Sequence, residues 1–292
     1  MYDVILLLTN RHDFFLQLLW EHIEISLSAS IIAIIIGGLL GILIYDYRRL
    51  SGPVMVVVNF LYTIPSISML GLLLYVSGVG NTTAIIALVI YALLPMVRNT
   101  FTGLNQIKSD MREAGIALGL TRLQRLWYIE IPLAMPTIMA GIRTMFVMTI
   151  ALTGIASFIG AGGLGVAIYR GITTNQSALT IAGSLLIALL AIVVDALFSL
   201  GERITRISPN MKRYTIIFLS VMTLIAMIVG GWSLYCRHVK ADVIHIATKP
   251  MTEQLILGNA LKELIEHKTG LIVEVTEGVG GGTSNIQPAM RS

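Results

Sequence analysis

With 292 residues, of which 55% are hydrophobic and only 12% charged, and a mean hydropathy of +0.83, this chain carries more apolar surface than a soluble domain can bury. A membrane protein is the expectation. The formal charge of +4 sits in short basic clusters between apolar runs rather than along one face, which argues for membrane topology and against nucleic-acid binding.

In chain order, Met1-Tyr2-Asp3 lacks the positive start of a cleaved signal, so the first apolar helix is expected to stay in the mature protein. Residues 11–24 mix Phe14, Phe15, Leu18, Leu19 and Trp20 with His12, Asp13, Glu21, His22 and Glu24. They read as an interfacial amphipathic helix, and 1–24 is assigned to such a segment. About 20 apolar residues in a helix cross a hydrocarbon core of about 30 Å. Six stretches approach that length, at 25–45, 54–76, 82–97, 137–158, 178–200 and 214–235. Pro65 predicts a kink in the second, and the third is short and contains Pro95.

The basic residues set the orientation. Arg48 and Arg49 follow the first span, Arg98, Lys108, Arg112, Arg122 and Arg125 the third, and Arg203, Arg206, Lys212 and Arg213 the fifth. The opposite loops hold Arg11, Arg170, Arg237 and Lys240. The first set is expected to be cytoplasmic, with the N-terminus and everything past the sixth span outside. Within the spans, Arg143 and Asp195 lie at similar depth, which makes an ion pair between the fourth and fifth spans the expectation. Snorkelling of Arg143 to the interface is the alternative. Asn59, Tyr62, Thr63, Ser66 and Ser68 cluster around Pro65 and are candidates to line a pathway. Met69, Met145 and Met148 are candidates for a soft gate, or for core packing.

Composition changes near Lys240. VIHIAT, a turn at Lys249-Pro250, a helical pattern from about Thr252 to His267 and the strand-like LIVEVTE read as the opening of an α/β domain. A strand-helix-strand unit of this size cannot bury its own faces, so the domain is expected to be incomplete within this sequence. Cys236 is the one cysteine, which excludes an internal disulfide and a multi-cysteine metal site; Ser233-Leu234-Tyr235 before it is not the small-residue run that precedes a lipidated cysteine. No nucleotide-binding G-x-x-x-x-G-K-[ST] occurs. GAGGLG at Gly160–Gly165 fits a dinucleotide fingerprint by letters alone, follows an apolar span rather than a strand, and is read as a flexible outward turn or gate segment.

The loop REAGIALGLTRLQRLWYIEIPLAMP, Arg112 to Pro136, resembles the EAA loop of bacterial ABC importer permeases. Glu113, Ala114, Gly119, Ile129 and Pro132 stand at that family's spacing, with Gly115 in place of its second Ala and Ile131 in place of its Leu. The resemblance implies an all-α type I permease fold and a loop, about 99–136, that docks a separate ATPase. In this reading the small residues let the loop sit deep in a groove. Glu113 favours a helix start. Pro132 and Pro136 stop the second helix of the loop.

LYTIPSISMLGLL, SFIGAGGLG, and IATKPMTEQLIL with GVGGGTSNIQPAM resemble the quaternary-amine branch of these importers, in which permease and extracytoplasmic binding protein can share one chain. That implies a permease domain at 25–212, an extra helix and linker at 213–241, and the start of a binding domain at 242–292. Gly281, Gly282, Thr283, Ser284 and Asn285, with Lys249 and Thr252, are its candidate ligand contacts. The implied protein is a homodimer in the inner membrane that carries glycine betaine, choline, carnitine or ergothioneine. It holds no cofactor, metal or catalytic residue; ATP-Mg is bound by two copies of the ATPase partner. The lipid bilayer is its other partner and nucleic acid is not. A permease for another small solute, such as an amino acid, and a membrane-anchored solute sensor are the alternatives.

Overall fold

The computed structural model describes residues 2–207, 243–248, 251–269 and 272–276. The sixth apolar stretch at 214–235, Lys249, and the stretch 281–285 lie outside the described residues. The helices are α1 (Tyr2–Asn10), α2 (His12–Asp46), α3 (Arg48–Thr63), α4 (Ser66–Ser77), α5 (Asn81–Asn105), α6 (Ser109–Ala117), α7 (Arg122–Arg125), α8 (Ile131–Ala156), α9 (Gly165–Thr173) and α10 (Ser177–Ile207). The tail adds β1 (Val243–Ala247), α11 (Thr252–Thr269) and β2 (Ile272–Thr276). Four of the described helices are long and apolar enough to cross a membrane, or five spans if the bent pair α3–α4 counts as one.

The packing is that of a lipid-solvated bundle. Ile32, Ile35, Ile36, Leu39 and Leu43 leave one exposed apolar stripe along α2, and Ile181, Leu185, Leu189 and Ile192 leave another along α10. The inner face of α2 instead carries Ala29, Ala33, Gly37 and Gly41, all buried and spaced by four. With no hydrophobic drive between helices in lipid, close backbone approach through small residues supplies the attraction. A Cβ on Gly37 would sit 2.8 Å from Met96 of α5, and one on Gly41 would sit 2.6 Å from Thr100. The other side of α5 meets α8 the same way, where a Cβ on Gly103 would stand 3.1 Å from the Ala134 carbonyl. α5 is therefore the central post of the bundle.

Three sequence expectations change. Residues 11–24 are not set off from the first span by any break, because α2 runs unbroken from His12 to Asp46. Its first turns spend their apolar face on the protein, with Phe15 and Leu18 buried beside Leu164, Ala167 and Leu179. Pro65 produces a break rather than a kink, and α3 and α4 meet at a bend of 100°. The Ile64 carbonyl, left without a helical partner, accepts the Tyr91 hydroxyl of α5, and the Met69 N–H returns to the Pro65 carbonyl at 2.9 Å. Pro95, by contrast, interrupts nothing, because α5 runs 25 residues through it. There the Asn99 amide donates to the Pro95 carbonyl at 2.8 Å.

In the tail, β1 and β2 pair in parallel, Val243 opposite Ile272 through Ala247 opposite Thr276. α11 connects them, as a parallel pair requires. Gly258 lets α11 approach, since a Cβ there would press on Thr248 and stand 3.4 Å from Val275.

Candidate functional site

One end of the bundle gathers the loops 47 and 106–130. Arg48 donates to Asn105 at 3.2 Å, Arg122 pairs with Asp46, and Arg112 donates to the Leu104 carbonyl at 2.9 Å while lying over the Tyr45 ring at 5.1 Å. The basic side chains grouped by sequence thus tie the short loop helices to the ends of α2 and α5.

Within this loop, α6 ends where Gly119 takes φ +73°. The Leu120 N–H reaches back to the Gly115 carbonyl at 3.1 Å and the Gly119 N–H to that of Ile116 at 2.9 Å, a Schellman-type stop that a side chain at 119 would strain. Thr121 and Gln124 then open α7 with a reciprocal capping box. Glu113 is not at the start of α6; it is the fifth of nine residues, and Asp110 is the acid in the first turn. Gly115 is buried against its own chain, where a Cβ would meet Ile129 at 2.9 Å and Arg125 at 3.2 Å. Its smallness therefore serves the hairpin rather than a partner's groove. Ala114, Ala117 and Gly119 remain exposed, as do the apolar side chains of Met111, Ile116, Leu118, Leu123, Trp127 and Tyr128.

Pro132 and Pro136 do not end a helix. The backbone stays helical from Arg122 to Ile159, and the strain is taken by a π-helical turn at Leu126–Glu130. Pro132 has no N–H to give and its ring crowds the carbonyl four residues back, so a wider turn ahead of it keeps the helix continuous. That turn carries Glu130, only 3% exposed in its side chain, which accepts from Arg125 Nε at 2.8 Å.

At the opposite end lies GAGGLG. It is not a free turn. Gly160 and Gly163 adopt φ of +77° and +95°, Ala161 and Leu164 are buried, and three elements hold the loop. The Gly163 N–H donates to Glu21 at 3.0 Å, the Gly162 N–H to Asn81 at 2.9 Å, and the Gly80 N–H to the Ile159 carbonyl at 3.3 Å. A Cβ on Gly163 would stand 3.1 Å from the His22 backbone. His22 itself is buried and its Nε2 lies 2.9 Å from the Ile150 carbonyl. Neither Glu21 nor His22 stood out as a partner of this loop, because each lies more than a hundred residues away.

Around the Pro65 break, Tyr62, Thr63 and Ser68 are exposed and Asn59 and Ser66 half-buried. The Tyr62 hydroxyl donates to Met148 Sδ at 3.5 Å, and its ring meets Tyr91 edge-on at a centroid distance of 6.1 Å. Met145 is wholly buried in the core with Met96, Ile142 and Phe146, so within one chain it packs rather than gates. Between α8 and α10, and partly exposed, Arg143 Nε and Nη2 donate to the two carboxylate oxygens of Asp195 at 2.6 and 2.7 Å as a bidentate pair. In the tail, Thr252 opens α11. Thr248, which sequence reasoning passed over, is buried at the carboxyl end of β1 with its hydroxyl unpartnered, the edge at which open α/β sheets hold ligands.

Four long apolar helices and a helix pair bent at Pro65 are the architecture of a polytopic membrane protein. The chain belongs to the family described as binding-protein-dependent transport system inner membrane component, which matches residues 30–207. It is 44% identical over 206 residues, 70% of this chain and 89% of the relative, to the glycine betaine/carnitine/choline transport system permease protein OpuCD of Bacillus subtilis. It is 42% identical over 198 residues, 66% of this chain and 92% of the relative, to the osmoprotectant import permease protein OsmW of Salmonella typhimurium. A third relative, the ergothioneine transport permease/ergothioneine binding protein EgtU of Helicobacter pylori, is 34% identical over 270 residues. That match takes in 90% of this chain, and the chain spans about half of that relative, 49%. In fold, a chain of the MetNI methionine ABC transporter, solved in inward-facing conformations, superposes with a TM-score of 0.58 at 22% identity, over 63% of this chain and 92% of that one. The chain is thus an integral-membrane component of a transport system.

Proposed function

We propose that this chain forms half of the translocation pathway of an ATP-driven importer of small betaine-type quaternary amines, with a second copy supplying the other half. The observation that carries the reading is the loop from α6 to the π-helical turn. It leaves Met111, Ile116, Leu118, Leu123, Trp127 and Tyr128 exposed, while Arg122–Asp46 ties it to α2 and Arg125–Glu130 fixes its own turn. An apolar surface of this kind on a stiff mount suits a partner protein, and two ATPase subunits, one per loop, are the proposed occupants. Glu113, exposed among these side chains, offers a carboxylate to a basic group of the partner. The cargo class follows from relatives named for glycine betaine, carnitine, choline, osmoprotectants and ergothioneine.

The permease unit occupies 25–212, with Asn59, Tyr62, Thr63, Ser66, Ser68 and Met148 facing the pathway. Residues 213–241 tether a tail, 242–292, that begins an extracytoplasmic binding domain. Support for the tail comes from its parallel β1–α11–β2 unit and from the alignment with a relative named as permease and binding protein together. ATP-driven closure of the ATPases would draw the two loops together and select the outward-open state.

The test is reconstitution with the ATPase, reading cargo uptake and cargo-stimulated hydrolysis together. Glu113→Lys and Trp127→Asp are expected to abolish uptake and stimulation while leaving the protein folded in the membrane. Wild-type coupling in both variants would refute the loop assignment.

A further inference from the structure

We propose that the ring of Tyr62 holds the quaternary ammonium head of the cargo as it passes through the membrane, an inference that rests on the betaine-type reading of the cargo. Tyr62 stands in the last turn of α3, beside the 100° bend. It is 40% exposed, yet it is held in place. Its hydroxyl donates to Met148, and its ring pairs edge-to-face with Tyr91 at 68°. Tyr91 is in turn 5% exposed and fixed by its bond to the Ile64 carbonyl. Beside that contact Tyr62 keeps 40% of its surface accessible.

A trimethylammonium group has no N–H, so hydrogen-bond acceptors gain little from it, whereas an aromatic face attracts it through its quadrupole. No Asp or Glu occurs anywhere in 48–77, so α3 and α4 themselves offer a cation no carboxylate. That absence suits transit, because a site on the path must release what it binds, and a fixed carboxylate would repel the acidic end of a betaine. Asn59 lies three residues before Tyr62 and therefore on the same helix face, about 5–6 Å away between Cβ atoms. Its amide can meet the carboxylate of a betaine whose ammonium rests on the ring.

The experiment uses the complete importer with its ATPase in proteoliposomes and follows labelled glycine betaine, choline and ergothioneine at saturating concentration. Tyr62→Phe and Tyr62→Leu both lose the bond to Met148, so the difference between them reads the ring. Uptake per ATP hydrolysed is expected to stay within about twofold of wild type for Phe and to fall about 2- to 30-fold for Leu. Ligand affinity of the binding domain is expected to be the same in both, and uptake is compared per folded protein because Leu also gives up the edge contact with Tyr91. Equal uptake by Leu and wild type overturns the inference and leaves the cargo class standing, as does equal impairment of Phe and Leu, which would assign the effect to the hydroxyl. A wild-type importer that hydrolyses ATP but takes up none of the three amines overturns the cargo reading, and this inference with it.

Discussion

Arg125→Met is the sharpest probe of the loop proposed to dock the ATPase. Glu130 keeps only 3% of its side chain exposed, against 22% for Arg125, and the two meet at 2.8 Å. Removing the cation leaves a carboxylate enclosed by the π-helical turn with the Tyr45 hydroxyl as a remaining partner, so the loss is expected to reach at most that of a stranded buried ion, about 3–5 kcal/mol. At 1.4 kcal/mol per factor of ten, that lowers the population of the native loop by up to about a thousandfold. The opposite deletion, Glu130→Met, is expected to cost less, because the freed guanidinium already reaches the loop surface. The double variant Arg125→Met/Glu130→Met is expected to recover most of the loss, since replacing both ions with apolar groups is close to neutral. The assay is a double-mutant cycle on melting temperature in detergent and on cargo-stimulated ATP hydrolysis by the assembled importer. A single Arg125→Met protein that melts and couples like wild type, or a double variant worse than either single one, would refute the reasoning.

Two further outcomes follow from the bundle. Arg143→Asp or Asp195→Arg alone is expected to reduce assembled protein in the membrane, and the exchange Arg143→Asp/Asp195→Arg to restore it; quantitative blotting of membrane fractions reads the result, and full assembly of both single variants would remove the pair's structural role. Gly37→Leu drives a side chain into Met96, where even a Cβ has only 2.8 Å, and such overpacking costs about 1–3 kcal/mol. Lower melting temperature is expected there, with partial rescue by Met96→Ala.

The apolar runs are legible in the sequence because about 20 lipid-compatible residues leave few alternatives to a helix. What Pro65, Pro95 and Pro132 do is not legible, since it depends on how the surrounding structure absorbs the lost hydrogen bond. At Pro65 the answer is a tyrosine hydroxyl 27 residues away, which permits a full break. At Pro95 the helix simply continues, with the Asn99 amide adding a bond to the Pro95 carbonyl one turn on. At Pro132 a π-helical turn absorbs the strain. The loop shows the same division. Its motif is visible as spacing, whereas the burial of Gly115 against Ile129 and the enclosure of Glu130 follow from how the hairpin folds back on itself. A lone acid among apolar residues, five after an arginine, was the available signal for Glu130. The Glu21–Gly163 bond had none, because nothing local to either residue names the other.

The π-helical turn has a mechanical consequence. By keeping the backbone continuous it makes Arg122–Ile159 a single rod of 38 residues, about 57 Å long at 1.5 Å per residue. One end sits in the braced loop and the other runs into the glycine loop that Glu21 and Asn81 hold. A tilt of only about 5° at the loop would carry the far end sideways by about 5 Å over that length. Had Pro132 ended the helix, a hinge there would have spent the same rotation locally; as built, one lever arm can carry a small angular input at one end of the bundle to the other.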